Sequence, residues 1–149
     1  MGLAGSSSDH TADPRLAPYG ALLLRVALAA MWISHALLKI LVFTLPGAAK
    51  FFDSVGLPGV LVYPVVTAEF IGGVAILAGL YGRQVSLLLT PILLVAAWVH
   101  FPNGWVFTAT GGGWEYPIFL AAASIVHGLV GDGALALKDA RFLSAVRTA

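Results

Sequence analysis

Between Tyr19 and Val130 the chain passes through four apolar stretches separated by short polar breaks. They run from about Tyr19 to Phe43, Gly59 to Leu80, Gln84 to Phe101, and Trp114 to Val130, the last being the shortest. A helix that crosses a bilayer needs about 20 mostly apolar residues. Lipid offers no partner to backbone N–H and C=O groups, so each stretch must satisfy its own by forming a helix. The predicted fold class is therefore all-α: a polytopic membrane protein built as a four-transmembrane-helix bundle.

Composition agrees. The chain has 149 residues, 59% hydrophobic and 10% charged, with a formal net charge of +1. Soluble domains are about 45–50% apolar and about 25% charged, and disordered chains are less apolar still. A net charge so close to zero gives no basic surface for nucleic acid. Cysteine is absent, which excludes thiolate metal sites, iron–sulfur clusters, cysteine nucleophiles and dithiol exchange within this chain. The length suits one membrane domain, residues 19–131, between an N-terminal tail (1–18) and a C-terminal tail (132–149). The start matches the myristoylation pattern M-G-x-x-x-S, but reads more simply as an initiator segment. The first apolar run is too long and lies too far in for a signal peptide.

The breaks differ in character. Residues 44–58 hold a short interfacial helix, with Pro46 near its start, Phe51 and Phe52 as anchors and Gly56 as its stop. Gly82–Arg83 reads as a tight turn. Residues 102–113 form an uncharged loop rich in Gly and aromatics. Arg15, Arg83, Lys138, Arg141 and Arg147 fall on one side of the bundle and Lys50 on the other. The positive-inside rule then places both termini in the cytoplasm and the aromatic loops outside. Tyr81 fits an inner interfacial anchor, and Trp98, Trp105, Phe107, Trp114 and Tyr116 an outer aromatic belt.

Ionisable residues inside the spans carry the functional signal, because each costs roughly 2.5–3.5 kcal/mol on the insertion scale. The first span bears Arg25, Trp32, His35 and Lys39, at spacings of seven, three and four that share one helix face. Glu69 lies mid-span in the second, beside a stripe of Ala68, Gly72, Ala75 and Gly79. His100 ends the third; Glu115 opens the fourth and His127 lies near its inner end. By depth, His35, Lys39, Glu69, His100 and Glu115 could converge in one outward-facing pocket under the aromatic loop, with Arg25 and His127 as a second polar pair deeper in. Lys39, His35, Arg25 and Trp114 are candidate anion-binding residues. Glu69, His35, His100 and Glu115 are candidate proton-transfer groups, because desolvated carboxylates and histidines titrate near neutrality. Trp32, Trp98 and Glu69 are candidate quinone-binding residues. Bland readings compete: Arg25 or Lys39 snorkelling, a structural Lys39–Glu69 ion pair, His127 as packing, and His100 and Glu115 as solvated interfacial groups. No metal motif is present. Haem is disfavoured, since His35 and His127 lie at different depths.

The motifs, taken together, resemble a known family. They are Arg25 in LLLRVALAAMW, then H-A-L-L-K, F-F-x-x-x-G-L-P, E-F-I-G-G, G-R, H-F-P-N-G-W and G-G-G-W-E-Y-P. Over about residues 20–131 the chain is similar to the DoxX family of small four-helix membrane proteins; the matching positions are Arg25, His35, Lys39, Glu69, Arg83, His100, Asn103, Trp114 and Glu115. The resemblance implies a bacterial or archaeal cytoplasmic-membrane protein related to the membrane subunit of a thiosulfate:quinone oxidoreductase. It further implies a quinone as substrate or bound cofactor, a small sulfur anion such as thiosulfate as reductant, and, for some relatives, membership of an oxidoreductase complex. Three roles follow as expectations. The first is a quinone-linked oxidoreductase or its quinone-binding subunit. The second is a non-catalytic anchor for a soluble oxidoreductase partner. The third is a small anion or proton transporter; the small-residue stripe reads first as a packing face within the bundle and second as a candidate homodimer face.

Overall fold

A computed structural model describes residues 13–137. The myristoylation pattern and the basic residues Lys138, Arg141 and Arg147 lie outside the described residues. The described chain is all-helical. Helix α1 (Ala17–Leu37) continues into a π-turn (Leu38–Val42); α2 (Leu45–Ser54) is short; α3 spans Val62–Ala78, α4 Gly82–His100 and α5 Glu115–Val130. Three segments, Ala17–Val42, Gly59–Ala78 and Gly82–Asn103, are long and apolar enough to cross a membrane. With 16 residues, α5 is about 24 Å long, short of a hydrocarbon core of about 30 Å. The expected bundle of four apolar helices and an interfacial helix between the first two is what the chain forms.

Local signals set the element ends. Pro18 sits in the first turn of α1, where its missing N–H is no loss. Thr44 caps α2, its side chain accepting from the Gly47 amide at 3.3 Å, with Pro46 in the first turn. Gly56 adopts a left-handed conformation just past the end of α2, as expected of a stop. One turn falls elsewhere than expected. The reversal between α3 and α4 is made at Gly79–Tyr81, both of whose ends are left-handed, while Gly82 and Arg83 are already helical. Gly82 is a glycine for a different reason: a Cβ there would collide with Asp132 Oδ1.

Helix α1 packs mainly on α3, and α4 mainly on α5; the two pairs meet along α3–α4 and, more sparsely, α1–α5. The central core is Leu28, Trp32, Ile76, Leu89, Leu93 and Leu120 with small alanines between them. In lipid, apolar burial gives little drive, so close packing must hold the helices together. Gly72 lets Leu89 of α4 approach, and Gly73 lets Ile33 and Trp32 of α1 approach; a Cβ at either would come within 2.8 Å of a neighbour. Gly79 faces Arg25 and Ala136. These three glycines are thus filled by contacts within the bundle. A second cluster, Ala36, Ala48, Val62 and Val66 with Phe52, seats α2 across α1 and α3. The large side chains left outside, such as Leu23, Leu41, Ile71, Leu88 and Phe119, form the apolar belt that lipid covers. Below, the end of the bundle carrying α2 and residues 101–114 is the loop end, and the end carrying Ala17, Tyr81 and Gly131 the terminal end.

Candidate functional site

At the loop end, Lys39 and Glu69 form an ion pair across α1 and α3. The Lys39 ammonium donates to both carboxylate oxygens, at 2.8 and 2.9 Å. Glu69 is 3% exposed, and the Lys39 side chain 20%. Lys39 belongs to the π-turn. Such a turn inserts one residue into the helical spiral and re-aims the side chains it carries, which is why π-turns recur at functional sites. Removing either partner alone leaves a buried charge unmet, at about 3–5 kcal/mol.

One turn before Lys39 stands His35. Its Nδ1–H donates to the Met31 carbonyl at 2.8 Å, which fixes the tautomer and leaves Nε2 as the acceptor. The imidazole stacks on Tyr116 of α5, with centroids 5.8 Å apart and planes 21° off parallel. The Tyr116 hydroxyl is buried and has no hydrogen-bond partner. Lys39, Glu69, His35 and Tyr116 therefore bring an ammonium, a carboxylate, an imidazole acceptor and an unused phenol donor to the inner side of the loop end.

The other expected members of an outer pocket are bound up in the loop. His100 Nδ1–H donates to the Gly111 carbonyl at 3.0 Å, and the Asn103 amide to the carbonyls of Gly111 and Gly112. Glu115 Oε1 accepts from the Phe107 amide at 2.7 Å. Trp114 packs against Phe101 and, edge-on, against Trp105. No hydrogen bond or ion pair among the described residues joins this group to Lys39 and Glu69. His100, Asn103, Trp114 and Glu115 thus shape the aromatic loop. The aromatic candidates also separate: Trp32 is buried in the core against Gly73, whereas Trp98 is 62% exposed on α4 beside Val55, Phe101 and Pro102.

The terminal end holds a second buried polar cluster. His127 Nδ1 and Ser86 Oγ are 2.7 Å apart, and His127 Nε2 is 3.3 Å from Asp132 Oδ1. Arg25 donates to the backbone carbonyls of Asp132, at 2.5 Å, and Leu135. Arg83 closes the end of α5 by donating to the carbonyls of Gly128 and Leu129. Arg25 and His127 do not pair directly; each contacts Asp132, the first residue of the expected C-terminal tail. The signal for it was Gly131-Asp132-Gly133, an acid flanked by glycines directly after a span.

Comparison with known proteins agrees with this architecture. Residues 20–102 match the DoxX family, taking in α1 to α4 and with them Arg25, His35, Lys39, Glu69 and His100. Over 118 residues the chain is 34% identical to a Bacillus subtilis (strain 168) protein named "Putative oxidoreductase CatD", covering 79% of this chain and 84% of that relative. No solved structure matches significantly. With its apolar bundle and with the family match over more than half its length, this chain is a membrane protein and belongs to the DoxX family.

Proposed function

We propose that this protein is a membrane-embedded, quinone-linked oxidoreductase, or the quinone-binding subunit of one, with its chemistry at the Lys39–Glu69 pair. The observation that carries this reading is a bidentate ion pair sunk in a lipid-facing bundle beside a histidine with a free Nε2. Intramembrane charges are expensive, and a bundle of this size packs without them. The relative named as an oxidoreductase supports the same class.

The residues fit a quinone head group. The buried, unpartnered Tyr116 hydroxyl is a donor of the kind a ring carbonyl accepts, and the Lys39 ammonium is a second donor. When bound, a quinone supplies the acceptor for two electrons and two protons. The chain's own part is to hold, orient and move protons. Lys39 and His35 hold a small sulfur anion such as thiosulfate at the loop end, Lys39 by charge. Glu69 gives up its share of the ammonium and takes or releases a proton at Oε1 or Oε2. His35 does the same at Nε2, its other nitrogen being pinned to Met31. Two thiosulfates joined as tetrathionate release two electrons, a coupling that uses no protein thiol. His100 and Glu115 keep the aromatic loop in shape.

Reduction of a short-chain quinone by the purified protein, with thiosulfate as donor, tests this optically. Wild type should bleach the quinone, and Lys39→Ala and Glu69→Gln should both lose at least about 100-fold, as expected of groups that position reactants. An unchanged rate in Glu69→Gln would exclude its proton role. A second reading, a non-catalytic anchor for a soluble oxidoreductase, is favoured by the completeness of the ion pair, whose charges already satisfy each other. It predicts no bleaching by the protein alone and capture of a soluble partner.

A further inference from the structure

We propose that residues 131–137 are a latch, seated by the Asp132 carboxylate, that closes the terminal end of the bundle and clamps α1 to the α4–α5 pair. The segment leaves α5 at Gly131 and crosses that end of the molecule. The Ala134 amide donates to the Pro18 carbonyl at the start of α1, at 2.9 Å, and the Leu137 amide to the Ala78 carbonyl at the end of α3, at 3.1 Å. Asp132 and His127 are both fully buried. Beside the carboxylate stands His127 from α5, whose other ring nitrogen is held by Ser86 of α4, while Arg25 of α1 holds the Asp132 carbonyl. Two glycines make the seat. Gly82 leaves room for Asp132 Oδ1, and a Cβ on Gly133 would come 2.5 Å from the Pro18 carbonyl oxygen.

Two features separate a latch from a permanent staple. Neither Asp132 oxygen accepts a hydrogen bond of good geometry, and its one ion-pair contact among the described residues is His127 Nε2, 3.3 Å from Oδ1. Arg25, for its part, donates to backbone carbonyls of the segment, those of Asp132 and Leu135. The buried Arg25 Nε and Ser124 Oγ are also unpartnered, which leaves the seated state short of full polar satisfaction. The latch also lies at the end of a seam where α1 touches α5 sparsely. Opening it frees that seam at the terminal end.

The absence of cysteine makes the test clean. Single cysteines are placed at Ala134, half-buried in the latch, and at Leu135, which is 82% exposed, in the full-length protein in permeabilised membrane vesicles. Reaction with a charged maleimide is then timed. Ala134→Cys should label slowly and Leu135→Cys fast. Asp132→Asn removes the charge and keeps the shape; Gly82→Ala keeps the charge and removes the seat. Each should raise Ala134→Cys labelling by about tenfold or more, as loss of a buried polar contact implies, and leave Leu135→Cys unchanged. Arg25→Gln reads the same latch from α1 should either variant fail to keep the wild-type elution profile in detergent. Wild-type labelling rates in correctly assembled variants would overturn the proposal.

Discussion

Glu69 is the residue whose presence is hardest to explain by packing. It lies mid-span, is nearly sealed, and has both oxygens on one ammonium. Lys39→Ala strands the carboxylate, so the variant should lose about 3–5 kcal/mol of stability, seen as a lower thermal midpoint in detergent. Tyr116 gives the opposite expectation. Its hydroxyl is buried without a partner, so Tyr116→Phe should leave the midpoint unchanged or raise it, by about 1 kcal/mol, while weakening quinone binding. A thermal midpoint beside a quinone titration reads both; destabilisation with unaltered binding would mean that the hydroxyl serves the fold instead. This residue-level detail was partly legible. The one-face spacing of His35 and Lys39 foretold their common side, and the cost of a mid-span carboxylate foretold a partner for Glu69. Tyr116 as the partner of His35 was not legible, because stacking between α1 and α5 depends on the rotation of both helices.

At the scale of elements, the π-turn and the paired glycines decide whether the site exists. Lys39 sits in the turn that widens the end of α1, and Gly73 lets that helix lie against α3. Gly73→Val would drive a side chain into Ile33 and Trp32, so α1 must shift outward. The expected result is loss of the Lys39–Glu69 contact and a destabilisation of about 1–3 kcal/mol from overpacking, checked by thermal melting together with the quinone assay. The spans themselves were readable because lipid forces apolar length into helix. The π-turn was not, since no residue type in Leu38–Val42 encodes it. The outer pocket dispersed as well. The polar atoms of His100 and Glu115, with those of Asn103, are taken up by the carbonyls and amides of a loop with three consecutive glycines. The tight turn falls at Gly79–Tyr81, where the left-handed Gly79 ends α3, and Gly82 instead makes room for Asp132, a contact 50 positions away in sequence.

For the molecule as a whole, the two pairs of helices are joined by polar or aromatic groups toward each end, His35–Tyr116 at one and Arg25–Asp132–His127–Ser86 at the other, while Lys39–Glu69 ties α1 to α3 within its own pair. The positive-inside rule, applied to the Lys and Arg of the sequence, predicts that the terminal end faces the cytoplasm. Single cysteines at Phe107 and Leu135 should then react with an impermeant maleimide from opposite sides of intact cells, Phe107→Cys from outside and Leu135→Cys only after permeabilisation. The reverse pattern would invert the account of where a sulfur anion enters.

The central claim is that the Lys39–Glu69 pair performs chemistry and is not a structural rivet. The most direct test removes both charges together and keeps their volume, in the double variant Lys39→Met/Glu69→Met. Replacing a buried ion pair by well-packed apolar residues is commonly neutral or stabilising. The account predicts a folded double variant with a thermal midpoint at or above wild type and no thiosulfate-dependent quinone reduction. A folded double variant that reduces quinone at the wild-type rate would contradict it.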